Sequence, residues 1–211
     1  MPGRSSGYAY YYAGLNDLAE KCYRRILELN PSVPQPHWMD ARMLLYSGKG
    51  QEAETEMQDL VQKNPDQYKA LAYLGLMQYY QGKMDEAESN LARAVSLGRN
   101  SGDHTPQLIS AFLYGSRNQR DKIDPKLFGT VPQQVIDGDD AYWTASMYAL
   151  LGDKRQALMW MKRTVALGDV NYPWFQRDKN LANIRNDHEF EALMDDIRQR
   201  HKAYQQEFDV P

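Results

Sequence analysis

The chain has 211 residues, a net charge of −3 and a sequence pI near 5.8, so it has no basic excess to neutralise a phosphate backbone, which excludes broad nucleic-acid binding. Hydrophobic residues make up 42% and charged residues 25%, the composition of a folded chain rather than a disordered one. No apolar run approaches the roughly 20 residues of a membrane-spanning helix, and a single cysteine, Cys22, rules out an internal disulfide.

The N-terminal stretch MPGRSSGYAYYYAG lacks a basic-then-apolar leader pattern, and a cytoplasmic location is expected, or an extracytoplasmic one if the chain is cut from a membrane-bound protein. Gly3, Ser5, Ser6 and Gly7 are poor helix formers, so the first helix is expected to be short, as if the chain began inside a repeat of something longer. Residues 16–29 place Leu18, Ala19, Cys22, Tyr23, Ile26 and Leu27 at helical spacing, which predicts a buried, inert thiol at Cys22. Gly14 supplies the preceding turn, and Asn30-Pro31 ends the hairpin. Helices are expected next at 38–46 and 51–62, then at 68–80 and 84–96.

These hairpins share one period. Gly14, Gly48 and Gly82 are 34 residues apart, as are Ala19, Ala53 and Ala87, Pro31 and Pro65, and Tyr12, Tyr46 and Tyr80. Four columns in one step mark a helix-turn-helix repeat that stacks into a solenoid. The third unit carries Leu74-Gly75, Gly82, Ala87 and Ala94, the second Ala41, Gly48, Ala53 and Leu60, and the first Gly7, Gly14, Ala19 and Ile26. In these residues the chain resembles the tetratricopeptide repeat (TPR) family. Gly75 is expected to face Ala87 where the two helices of a hairpin cross.

From Arg99 to Asp139 the register is lost. Thr105-Pro106 reads as a cap and first-turn proline before a helix with Leu108, Ile109, Phe112 and Leu113. Short helical turns are expected near 125–128 and 132–136. Phe112, Leu127, Phe128, Val131 and Ile136 are too apolar for a flexible linker, so the segment reads as a degenerate fourth hairpin. Ala87 and Ala157 lie 70 residues apart, close to two repeat lengths. A fifth hairpin at 142–150 and 154–167 follows, with Gly168 as its stop. Pro173 breaks the pattern, and Asn186 with Glu189 suggests a capping box. It opens a last helix with Phe190, Leu193, Met194 and Ile197 on one face, followed by Tyr204. The expected fold class is all-α: a right-handed α-α superhelix, a TPR solenoid with a C-terminal capping helix. Its units are 5–33, 34–66, 67–99, 100–139 and 140–170, with the cap at 171–211. The run from Asp140 to Phe208 also resembles the C-terminal TPR region of multidomain bacterial signalling proteins (serine/threonine kinases, adenylate cyclases and winged-helix regulators). That resemblance implies a docking or regulatory role, without the effector domain that carries chemistry in those proteins.

No phosphate loop, kinase catalytic loop or cyclase metal pair is present in the sequence. His37, His104, His188 and His201 lack metal-ligand spacing and are expected to be solvated. Asp137, Asp139 and Asp140 lack a full calcium loop and suit a helix start. Glu52, Glu54 and Glu56, with Asp195-Asp196, read as solvated helix faces. An enzyme is not expected, nor are a catalytic residue, a metal or a cofactor.

In TPR proteins the first helix of each hairpin lines a concave groove. The resemblance therefore nominates Tyr8, Tyr12, Trp38, Arg42, Tyr46, Lys69, Tyr73, Leu76, Tyr80, Tyr142 and Trp143 as a protein- or peptide-binding groove. Tyrosine suits that work because its ring buries area while its hydroxyl finds a partner, although the Tyr12/46/80 column could equally pack repeat on repeat. A carboxylate clamp would use Lys, Asn and Arg where this chain has Ser5, Tyr8, Met39, Lys69 and Tyr73, so only Lys69 is kept. The expected function is a non-catalytic binding scaffold. The alternatives are a self-association module using apolar surface at Tyr8, Tyr11 and Tyr12, through which the chain could form a homo-oligomer, and the sensor part of an enzyme whose catalytic domain lies elsewhere.

Overall fold

The 34-residue period is a repeated turn in the computed structural model, which describes residues 2–208, with side chains from Ser6 onward. Gly48, Gly82 and Gly152 take φ of 81°, 79° and 75°. The amide after each glycine donates back to a carbonyl five residues earlier: Lys49 to Leu44 at 2.8 Å, Lys83 to Gln78 at 2.9 Å and Asp153 to Tyr148 at 3.0 Å. This left-handed closure satisfies the last free carbonyls of each helix, and a residue without Cβ enters it without strain. The degenerate hairpin keeps the same turn without a glycine. Asn118 takes φ of 54°, and the Gln119 amide donates to Tyr114 at 2.8 Å. Asparagine tolerates this region better than most residues.

The helices are α1 (Pro2–Tyr12), α2 (Asn16–Leu29), α3 (Pro34–Tyr46), α4 (Gly50–Lys63), α5 (Tyr68–Tyr80), α6 (Met84–Gly98) and α7 (Thr105–Ser116). After them come α8 (Gly138–Leu150), α9 (Lys154–Ala166), α10 (Tyr172–Phe175) and α11 (His188–Glu207). Among the described residues no strand occurs, and the fold class is all-α, of the TPR solenoid type. Helix α3 starts four residues before the expected Trp38 because Pro34 and Pro36 sit in its first turn, where a missing amide costs nothing. Asp103, not Thr105, takes the first free amide of α7, accepting from Thr105 N at 2.9 Å. Likewise Asp187, not Asn186, caps α11 through the Glu189 amide. The short 3₁₀ turns Arg120–Lys122, Pro125–Gly129 and Pro132–Gln134 stand where the fourth hairpin would have its second helix. In that segment Leu127 is buried, but Val131 and Ile136 are 44% and 87% exposed. Their apolar character is therefore no sign of core packing.

Contacts group the chain into two compact units: Met1–Tyr10 with Asn16–Leu113, and Tyr11–Leu15 with Tyr114–Pro211. Residues 209–211, expected within the cap, lie outside the described residues. In the first unit each hairpin closes on a small residue opposite a large one sixteen positions later. A Cβ on Gly7 would lie 2.9 Å from the Tyr23 ring, and one on Gly75 would lie 2.6 Å from Leu91 Cγ. Ala41 and Met57 hold the same places in the second hairpin, and both are fully buried. Gly75 thus faces Leu91 first, with the Ala87 carbonyl at 3.4 Å. Gly75→Ala is expected to cost about 1–3 kcal/mol by overpacking. Adding Leu91→Ala should return part of that loss, read as a coupling in a double-mutant cycle by urea unfolding.

The second unit pairs α8 with α9, lays the 3₁₀ turn Lys179–Ile184 on α8, and packs α11 against α9 and α10. Phe190, Ile197 and His201 form the buried stripe of α11, while Leu193, Met194 and Tyr204 are half-buried.

Candidate partner-binding face

The nominated side chains form several separate clusters. In the first unit α3 and α5 lie side by side, which stacks Trp38 on Tyr73 with ring centroids 5.7 Å apart and planes within 5°. Lys69 Nζ sits 6.0 Å from the Trp38 ring centre and 2.8 Å from Asp103 Oδ2, which also accepts from the Tyr68 hydroxyl at 3.0 Å. Burial alone would raise the Asp103 carboxyl. The Lys69 ammonium and the Thr105 hydroxyl and amide overcome it and hold Asp103 at about 2. Burial likewise would lower Lys69, and the Asp103 partner raises it instead. Lys69 is therefore a paired cation at the edge of an aromatic stack, with its side chain 34% exposed.

Trp38 and Tyr73 themselves are only 8% and 6% exposed. Tyr8 and Tyr80 are half-buried. Tyr8 lies edge-on to Tyr23 at 6.4 Å and accepts from Gln35 Nε2 at 3.4 Å, while Tyr80 meets Tyr79 edge-on at 5.2 Å. Arg42, expected to reach a partner, is instead fully buried. Its guanidinium donates to the Tyr46 hydroxyl at 3.2 Å and to Met39 Sδ at 3.9 Å, so its charge is turned inward along its own helix. Tyr46 and Leu76 are also buried in the first unit. Of the clamp positions, the Ser5 side chain lies outside the described residues, and Met39 is fully buried.

Three nominated residues belong to the second unit. Tyr142 stacks on Phe175 at 4.6 Å and donates to Asp178. Trp143 is 3% exposed. Tyr12 sits in a socket for the turn that follows α1. Its hydroxyl accepts from Gly138 N at 3.2 Å and its carbonyl accepts from Val170 N at 2.8 Å. Beside it, the Tyr11 hydroxyl donates to Asp139 Oδ1 at 2.5 Å and the Tyr11 carbonyl accepts from Asn171 Nδ2 at 3.0 Å. The Ala13 carbonyl accepts from His201 Nδ1 at 2.8 Å. Burial and the charges of Asp139, Asp137 and Asp169 push the Tyr12 phenol far above its ordinary range, so it remains protonated. The open apolar surface expected at Tyr11 and Tyr12 is therefore filled: Tyr11 is 1% exposed and Tyr12 is half-buried.

The titratable residues divide along similar lines. Asp137 accepts from the amides of Asp139 and Asp140, a helix cap as expected. His201, expected in a solvated tail, is 7% exposed, and His37 is wedged between Glu56 and the Pro31 carbonyl. Cys22 is half-buried rather than buried. Glu54 departs furthest from a solvated face. It is 1% exposed and its carboxylate accepts from Lys83 Nζ at 2.6 Å, Gln81 Nε2 at 2.6 Å and Gln58 Nε2 at 3.1 Å. Among the described residues no group of three His, Cys, Asp or Glu side chains could hold a metal ion.

Residues 39–103 match the family model of the tetratricopeptide repeat. The repeat assignment is direct for that stretch. No curated protein matches the chain. Among solved structures, a crystal structure of MamA is 17% identical with a TM-score of 0.43, covering 76% of this chain and 93% of its own. A second crystal structure of the MamA protein is 15% identical with a TM-score of 0.40, over 97% and 88%. A MamA RS-1 double mutant is 14% identical with a TM-score of 0.44, over 88% and 96%. A protein-interaction scaffold is the class of function that the repeat supports.

Proposed function

We propose that the chain is a non-catalytic protein- or peptide-binding scaffold in the cytoplasm that works through the aromatic face of its inner helices, as a docking or regulatory module of a bacterial signalling system. The observation that carries this reading is the cluster on α3 and α5. There a parallel Trp38–Tyr73 stack meets a paired, partly exposed Lys69, and the half-buried Tyr8 of α1 and Tyr80 of α5 likewise lie on first helices of their hairpins. Rings held rigid before binding lose little entropy when a partner settles on them. Because Lys69 already has Asp103, the favoured ligand is an extended or helical segment buried by its apolar side chains rather than a chain terminus gripped by its carboxylate. The signalling context is supported by the resemblance of residues 140–208 to the C-terminal regions of such regulators.

Screening a peptide library against the full chain, followed by fluorescence anisotropy on the tightest binder, tests the face. Lys69→Ala and Tyr80→Ala are each expected to weaken binding roughly tenfold, the scale of a truncated contact residue, with helicity unchanged. Binding that survives both substitutions, together with Tyr8→Ala, would place the partner elsewhere.

A further inference from the structure

The strongest unused feature lies in the second unit, along one side of α11. Two hollows of about 330 and 280 Å³ lie beside that helix and share Tyr172 and Gln176 as a common border. To the first, α11 contributes Phe190, Glu191, Met194 and Asp195; to the second it contributes Arg198, His201, Lys202 and Gln205. From Glu191 onward these positions recur every three or four residues, so they share one side of the helix, and the hollows are two halves of one trough. Its floor is apolar. Phe190 is buried, Met194 and Tyr172 are half-buried, and Tyr172 stacks on His201 with ring centroids 6.2 Å apart.

The two halves carry opposite charge. Glu191 and Asp195 stand on the first, Arg198 and Lys202 on the second, and all four are exposed. Arg185 also borders the first half, but its guanidinium donates to the Gln176 and Asp178 carbonyls, and the two carboxylates still outweigh it. Asp195 meets Arg198 at 2.8 Å and Glu191 meets His188 at 3.5 Å, in each case between largely exposed side chains, and such pairs hold their partners weakly. The charges are placed symmetrically along the helix: the point midway between Asp195 and Arg198 is also midway between Glu191 and Lys202. A second α11 laid antiparallel across that point sets Glu191 against the partner's Lys202 and Asp195 against the partner's Arg198, and each pair occurs twice. Laid parallel, it would set like charges together.

We propose that the trough between α10 and α11 is a homodimer interface, in which two copies of the chain pair their α11 helices antiparallel about a two-fold axis between Asp195 and Arg198, with Tyr172 and Met194 supplying apolar contact beneath the charges. A two-fold contact needs a patch that is complementary to itself, and the order of charges along α11 meets that condition. The same order selects the occupant: a partner must present this pattern reversed, and a second copy already does. A small, largely charged face places the dimer among weak, salt-sensitive associations. The surface differs from the one expected for self-association at Tyr8, Tyr11 and Tyr12. It also uses none of the residues of the α3–α5 cluster, so its failure would leave the peptide-binding reading standing.

Sedimentation velocity of the full chain at sub-millimolar concentration tests the dimer. Its dissociation constant should rise by roughly tenfold or more between low and high salt. Glu191→Lys and Lys202→Glu should each weaken it about tenfold, since each places like charges across the axis twice. The double exchange Glu191→Lys with Lys202→Glu restores opposite charges across the axis and should regain most of the affinity. Within one helix the two positions are about 16 Å apart, too far to compensate for each other in a single chain. Both side chains are exposed, and circular dichroism should show unchanged helicity in all three variants. A dimer that both single exchanges leave intact, or a double exchange as weak as the singles, would overturn the proposal. So would a chain that stays monomeric in low salt; if a library peptide then shifts the NMR signals of Tyr172 and Lys202, that peptide is the occupant instead.

Discussion

Gly14→Ala should destabilise the protein by about 3 kcal/mol or more, whereas Gly48→Ala and Gly82→Ala should cost only about 1 kcal/mol each, although all three belong to one 34-residue column. The backbone term is common to the three. Each takes a φ between +74° and +81°, where an L side chain costs about 1–2 kcal/mol. The surroundings differ. A Cβ on Gly48 or Gly82 meets nothing within 4 Å, but one on Gly14 would lie 2.9 Å from Pro173 Cδ, 3.0 Å from His201 Nδ1 and 3.3 Å from Asn171 Cα. Two of these neighbours are a proline ring and a backbone atom, which cannot swing aside, so overpacking of about 1–3 kcal/mol adds to the strain. Urea unfolding of the three single variants checks the ranking. Equal losses at all three positions would mean that the socket around the first turn is not closed in solution.

The second large effect is expected at Glu54. Glu54→Ala should cost about 2–3 kcal/mol, and Lys83→Ala about half as much. The carboxylate is buried and takes hydrogen bonds from Lys83, Gln81 and Gln58, with Gln78 at 3.5 Å. Removing it leaves the buried Gln78 amide poorly matched. The full penalty for breaking a buried ion pair, about 3–5 kcal/mol, does not apply, because Lys83 is 38% exposed and turns to water. In Lys83→Ala the glutamine amides remain on the carboxylate, which is why that loss is smaller. Denaturant midpoints of the two single variants, followed by the signal of Trp38 in the same unit, provide the measurement.

The repeat itself was plain in the residue order, because its turns depend on backbone geometry that few residues accept. Gly48, Gly82 and Gly152 show it, and helix α5 has the bounds its pattern implied. The fourth hairpin was harder to read because Asn118 performs the turn with a side chain and sits 36 rather than 34 residues after Gly82. The nominated binding face was legible as a list of positions but not as a surface. Arg42 and Lys69 both looked like available cations, and only the structure shows one turned toward Tyr46 and the other held by Asp103 at the rim. The buried polar groups were missed for a different reason. Period-based reasoning assigns carboxylates to solvent, yet Glu54, Asp40 and Asp178 are nearly inaccessible because each has partners from a neighbouring element, and partners distant in sequence leave no periodic trace.

The socket around Tyr11, Tyr12 and Ala13 also bears on the order in which the molecule is made. A solenoid folds mostly through contacts between neighbours in sequence, which form early and fast. Here the Tyr11 carbonyl is satisfied by Asn171, 160 residues away, and the Ala13 carbonyl by His201, 188 residues away. During synthesis the turn after α1 precedes the groups that hold it, so the Tyr12 and Ala13 carbonyls wait for Val170 and His201 until those residues have been made. The intervening hairpins can form during that interval, but Gly14 cannot reach its final surroundings before α11, which carries His201, leaves the exit tunnel.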